Sequence, residues 1–212
     1  MKKLEIDKAV QEKKDKIANI LFKIGAIEFG VFKLSSGKAS PYYIDLRVIP
    51  SFPNDFREIC DFYSEYITNR IGVKKFDRMA GVPLNGIIFA SQVAYNLKKP
   101  FLYVRKGVRL HGRERRVEGL LASGDRVLLI DDLVTTGLTL KKATEAVRDE
   151  GGVVTDAVVF LDREEGGNQQ LEKNGITLHT LLKISEVANT LYELGAIEKE
   201  DLKTILKQVK KQ

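Results

Sequence analysis

The chain has 212 residues, a net charge of +6 at neutral pH, 43% hydrophobic and 30% charged residues, a size that favours one domain, or one domain with a small appendage, and allows about 70% of the unfolded surface to be buried. No apolar run approaches the ~18 residues that a bilayer span needs, and no apolar stretch follows the opening lysines as a secretory leader would require. The single cysteine, Cys60, excludes an intramolecular disulfide framework, so the expected address is the cytosol, with no membrane association.

From Ala9 to Ile24 the apolar residues Ile17, Ile20, Leu21 and Ile24 recur at helical spacing, which predicts an amphipathic helix that stops near Gly25. FGVFKLSSGKASPYYIDLRVIPSFP then alternates like strands around a Ser-Ser-Gly turn and is broken up by prolines. A helix is expected from about Phe56 to Arg70, with Cys60 buried on its apolar face rather than reactive. After FDRMAGVPLNG come an apolar helix IIFASQVAYNL, a short strand PFLYVRK, a buried strand RVLLIDD, a helix from Thr139 to Glu150 and a strand VVTDAVVFLDR. Continuous apolar strands alternating with helices predict a doubly wound α/β domain whose mainly parallel sheet is flanked by helices on both faces. His179, in ITLHTLL on an apparent strand, is read as structural, and a closing helix from Glu198 carries lysines that suit its C-terminal dipole. Arg105 to Gly119 is the one long stretch without periodicity, and six basic residues and a histidine crowd into its RKGVRLHGRERR.

The most informative string is VLLIDDLVTTGLT, Val127 to Thr139. An apolar strand ends in Asp131 and Asp132, expected at a solvent-facing strand end, and a hydroxyl- and glycine-rich turn leads into a helix. Backbone N–H groups at such a turn form an anion nest, Thr135, Thr136 and Thr139 add hydroxyl donors, and Gly137 lets the backbone approach a ligand. The two carboxylates beside that nest would repel a bare phosphate. A ligand with both a phosphate and hydroxyls, or a Mg2+, fits the string better, and a ribose phosphate satisfies both halves. An isolated Asp-Asp pair would be read as a helix cap, but the full string combines too many independent features for that.

VLLIDDLVTTGLT resembles the signature of the type I phosphoribosyltransferases, which bind 5-phosphoribosyl-1-pyrophosphate (PRPP). Three further stretches resemble the orotate phosphoribosyltransferases within that family: FKLSSGKASPYYIDLR their N-terminal hood, YVRKGVRLHG their catalytic loop, and FLDREEGG their orotate-contacting strand end. GVPLNG resembles their pyrophosphate loop, and the whole resemblance spans roughly Phe32 to Gly167. It implies one phosphoribosyltransferase domain over residues 1–212, with residues 1–50 contributing a helix and the hood. It assigns PRPP to Arg105, Lys106, Arg109 and His111 and to Asp131, Asp132, Leu133, Val134, Thr135, Thr136, Gly137, Leu138 and Thr139, and orotate to Thr135 and Arg163. Catalysis falls to Arg105, Lys106, Arg109, His111, Asp131 and Asp132. The resemblance also implies Mg2+ held mainly through PRPP rather than by protein side chains, and a homodimer that shares its catalytic loop. Ser35 and Asn85 stand where many bacterial members carry lysines, and neither is assigned to the site.

Two other functions compete. A purine or uracil transferase would have no use for Arg163, because a neutral base offers no carboxylate to its bidentate fork. A nucleic-acid-binding regulator would use the positive charge, yet the basic residues concentrate in the loop that the enzyme needs, without interleaved aromatics. The expected partners are therefore orotate and PRPP, and no nucleic acid.

Overall fold

The apolar runs that read as buried strands assemble into one sheet, and the computed structural model describes residues 2–33, 37, 39–107 and 115–210. In chain order the elements are α1 (Lys2–Lys23), β1 (Ile27–Lys33), β2 (Ala39–Ile44), α2 (Pro53–Tyr66), β3 (Arg78–Gly81), α3 (Asn85–Leu97), β4 (Phe101–Val104) and β5 (Val117–Glu118). They continue with β6 (Val127–Val134), α4 (Leu138–Asp149), β7 (Asp156–Asp162), α5 (Gly167–Glu172), β8 (Thr177–Lys183), α6 (Ile184–Glu193) and α7 (Lys199–Lys210). Arg109, His111 and Ser35 lie outside the described residues.

The main sheet has six strands in the order β5-β4-β3-β6-β7-β8. β3 pairs in parallel with both β4 and β6, and β6 with β7, while the short β5 runs antiparallel to β4. The chain therefore winds outward from β3 to β4, returns to β6 on the other side of β3, and winds outward again. The β3/β6 boundary is a topological switch point, where a crevice opens beyond the carboxyl ends of the strands.

Alternation along β7 shows how both faces are covered, since successive side chains of a strand point to opposite faces. Phe160 stacks on Phe89 of α3 at 6.2 Å and on Tyr63 of α2 at 6.0 Å between ring centroids. Its neighbour Val159 joins Leu129 of β6 and Leu140, Ala143 and Val147 of α4 in the opposite core layer. Each such side chain contributes about 1.5–3 kcal/mol by leaving water. The doubly wound α/β reading is borne out.

The chain packs as two compact units, residues 60–181 and residues 1–59 with 182–212. In the second, the β1–β2 hairpin carries a bulge between Phe29 and Phe32. There Lys14 of α1 pairs with Glu186 of α6 at 2.9 Å, and Thr190 donates to Asp15 at 2.8 Å. The grouping of the last thirty residues with the N-terminus has no local signal, because it depends on contacts between segments far apart in sequence.

Two expectations shift. The strand expected to stop at the acid pair continues through Leu133 and Val134, which pair with Leu161 and Asp162. The stretch expected to lack structure up to Gly119 contains β5, a two-residue strand fixed by its pairing with Tyr103 and Val104 rather than by any pattern of its own. Cys60 is buried as expected, and that burial pushes its thiol up to about 12.

Candidate active site

The glycines of GVPLNG determine how α3 meets the sheet. A Cβ on Gly81 would fall 2.6 Å from the Ile87 Cα, and one on Gly86 would fall 2.7 Å from Asp131 Oδ1 and 2.8 Å from the Ile130 carbonyl oxygen. Only glycine lets the first turn of α3 rest on the strand that carries the acids. Asn85 then opens α3, and its Nδ2 donates to Asp132 Oδ2 at 2.7 Å. The Asp132 N–H donates to Asp131 Oδ1 at 3.0 Å, and the Tyr63 hydroxyl donates to the Asp131 carbonyl at 2.6 Å.

The acid pair thus sits at the switch point, held by α2, α3 and its own backbone. Asp131 is not solvent-facing, as its sequence position suggested: it is 5% exposed, while Asp132 is half-buried. The difference follows from α3 covering the strand end. Burial, and after it the charge of Asp132, raises the Asp131 carboxyl well above the usual carboxylate range. The Tyr63 hydroxyl is also raised, first by burial and then by both acids, and so stays a neutral donor.

The turn after β6 packs closely against the turn after β7. Gly137 has φ +77°, and a Cβ there would come 2.9 Å from the Gly167 carbonyl oxygen. A Cβ on Gly167 would in turn come 2.6 Å from the Thr135 carbonyl oxygen. The turn after β6 and the EEGG turn are therefore fitted against each other by two glycines, a partnership that the doubled glycine of FLDREEGG hints at without specifying. Thr136, Leu138 and Thr139 are exposed, and Thr135 and Leu133 are half-buried. Val134 is a core residue whose carbonyl accepts from the Arg163 N–H at 3.0 Å.

That backbone bond sets Arg163 beside the turn. Its side chain is nearly buried, and Nε lies 2.8 Å from Glu165 Oε1. Glu164 between them has φ +57°, uncommon for a residue with a side chain, and donates its N–H to Asp162 Oδ1 at 2.7 Å. Glu165 was not singled out in the sequence, because a glutamate next to an arginine on the chain is usually a solvated neighbour.

Cations form a separate group. A cleft of about 270 Å³ is lined by Pro83, Arg105, Lys106, Arg116, Leu138, Thr139 and Lys142 among others. The basic segment and the start of α4, separate in sequence, therefore meet there. Arg105 pairs with Glu118 of β5 at 2.8 Å. The base of the basic segment is closed by the Arg105 N–H donating to the Arg116 carbonyl, and Glu150 at the end of α4 accepts the N–H groups of Arg116 and Val117 at 2.7 and 2.8 Å. His179 is structural as expected, bonded to Asp156 at 2.7 Å with its ring against Tyr66.

Among the described residues no three His, Cys, Asp or Glu side chains cluster as a metal cage, and no helix is long and apolar enough to cross a membrane. Two adjacent carboxylates, a glycine-bearing turn into a helix and a group of cations are chemically able to receive a sugar phosphate with an anionic leaving group.

Comparison with known proteins agrees. Residues 53–179 match the phosphoribosyl transferase domain. The orotate phosphoribosyltransferase of Cenarchaeum symbiosum is 41% identical over 183 residues, 86% of this chain and 92% of that protein. That of Saccharolobus solfataricus is 39% identical over 189 residues, 89% of this chain and 94% of that one. The crystal structure of orotate phosphoribosyltransferase from Aeropyrum pernix superposes with a TM-score of 0.74 at 32% identity, covering 86% of this chain and 99% of that one. Leishmania donovani UMP synthase superposes at 0.83 and 30% identity over 94% of this chain, which spans 42% of that longer protein. The chain belongs to the phosphoribosyl transferase family, and within it to the orotate phosphoribosyltransferases.

Proposed function

We propose that this enzyme transfers the 5-phosphoribosyl group of PRPP to orotate, forming orotidine 5'-monophosphate and pyrophosphate in pyrimidine biosynthesis. The observation that carries the reading is the acid pair at the β3/β6 switch point, set between the first turn of α3 and the turn into α4. Asp131 and Asp132 would accept hydrogen bonds from the ribose hydroxyls, and the N–H groups and hydroxyls of residues 135–139 would bind the 5'-phosphate. Arg163, with Thr135, would receive the base, its guanidinium meeting the orotate carboxylate.

In the reaction the bond from the sugar carbon to pyrophosphate breaks and one to the base nitrogen forms. Positive charge develops at the sugar and negative charge on the departing group. The acid pair faces the first, and Arg105 and Lys106, with Arg109 and His111, would face the second. Fixing the sugar between base and leaving group supplies orientation without covalent chemistry by the protein. Mg2+, held mainly through PRPP oxygens, would neutralise part of the leaving pyrophosphate.

The enzyme would act as a homodimer in the cytosol, the catalytic loop of one subunit completing the site of the other, with residues 1–50 supplying the hood of a single phosphoribosyltransferase domain. Exposed Leu84, Ile88 and Tyr95 share one side of α3, directly beside the pyrophosphate turn, which supports a second copy docking there. The test is orotate absorbance with PRPP and Mg2+, run beside uracil, hypoxanthine and adenine. Orotate loss that needs both PRPP and the ion is expected. Turnover of another base in place of orotate would contradict the assignment.

A further inference from the structure

Asn85 makes a contact that the proposed assignment of the site does not use. The side chain is 8% exposed and takes no part in capping α3, whose start at Leu84 makes no side-chain cap bond. Its amide crosses from the turn after β3 to Asp132 on β6, 47 residues along the chain. Gly86 beside it has no Cβ, and that allows the first turn of α3 to come this close to the acids. Two restraints already act on Asp131, from the Asp132 N–H on its carboxylate and from Tyr63 on its carbonyl. The Asp132 carboxylate is held by the Asn85 amide.

We infer that Asn85 is a positioning residue, its amide holding the Asp132 carboxylate in the orientation that receives the ribose hydroxyls of PRPP. This rests on the proposed function of the acid pair. The choice of an amide has a physical reason. A carboxylate offers about four acceptor sites on its two oxygens, so one can be given to Asn85 and the rest remain for a ligand. A cation at the same place would hold Asp132 equally well but would cancel charge that the pair directs at the positive sugar carbon of the transition state. The neutral donor fixes direction and leaves the charge. On this reading Asn85 acts through Asp132 rather than on the substrate.

A double-mutant cycle separates this role from direct binding. Asn85→Ala, Asp132→Ala and the double variant are compared with the wild type in orotate consumption, with thermal unfolding run on each to show that the fold is kept. Asn85→Ala is expected to lower kcat by about 10- to 30-fold, the value of one hydrogen bond to a charged group, with KM for PRPP changed by less than about threefold. In the residual turnover of Asp132→Ala, the same change should cost almost nothing further. Asn85→Asp, of equal size but with a like charge against Asp132, should fall below Asn85→Ala, and Asn85→Gln, which keeps the donor, should recover part of the loss.

An equal penalty from Asn85→Ala in both backgrounds would overturn the inference, because Asn85 would then act on PRPP itself. So would a rise in KM with kcat unchanged. Either result in an active wild type leaves the assignment of function standing. A wild type that turns over no base removes that assignment, and the role of Asn85 with it.

Discussion

The two walls of the proposed site, the acid pair and the cationic cleft, are built differently. The acid wall is part of the core: Asp131 is buried beneath α3, bonded through Tyr63 to an aromatic layer, and its neighbour is held by Asn85. The cationic wall hangs from the sheet edge, with Arg105 and Lys106 leaving β4 and the chain returning through the two residues of β5. On the proposed function the contrast would divide the chemistry. Orientation of the sugar needs geometry that does not relax, and a packed interior supplies it. Compensation of a departing pyrophosphate would need charge where that group leaves, and the cations at this edge, tied by the Arg105–Arg116 backbone bond and two bonds to Glu150, would supply it.

If the walls divide the labour in this way, variants should fail in different ways. The largest effect is expected from Asp131→Asn with Asp132→Asn, which should reduce turnover by more than about 1000-fold while thermal unfolding stays cooperative. Near-normal turnover would mean that the acids do not hold the sugar. Arg105→Ala with Lys106→Ala should lower kcat by about 100-fold, with KM for orotate little changed, since on the proposed function those cations would meet the leaving group. A change confined to KM for orotate would move them to the base. Arg163→Ala should raise KM for orotate by about 30-fold and KM for PRPP much less. Equal effects would remove Arg163 from base recognition.

The smallest effect is on stability and tests the buried side alone. Asp131 has its carboxyl raised by burial and by Asp132. Such a group contributes fully to stability below its unfolded value of about 4 and loses that contribution as pH rises through the higher folded value. Asp131→Asn, neutral throughout, should therefore unfold roughly 2–4 °C above the wild type at pH 8 and near it at pH 4. A difference independent of pH would show that Asp131 titrates as an ordinary surface acid.

How much of this could be read in the sequence differs between the same two regions. The β6 run Val127–Ile130 was legible because four consecutive apolar residues suit a strand covered on both faces, and the turn after it was legible because Gly137 and the threonines have few other uses in that order. The walls around the turn were not. Asp131 was expected in solvent because nothing near it in sequence announces that α3 will cover it. Asn85 was set aside as a lost cation, and its bond to Asp132 exists only once β3 and β6 are neighbours. β5 escaped notice for the same reason, since two residues carry no period. Glu165 and Glu150 were passed over because a carboxylate shows its purpose only through what it faces, here Arg163 in one case and two backbone N–H groups in the other.

The most direct measurement is a crystal structure of the enzyme with PRPP and Mg2+. The ribose hydroxyl oxygens should lie about 2.6–3.2 Å from the Asp131 and Asp132 carboxylates, with the 5'-phosphate on the N–H groups of residues 135–139 and the pyrophosphate toward Arg105 and Lys106. A ribose bound away from the acid pair, or a 5'-phosphate on the cationic wall, would contradict the account.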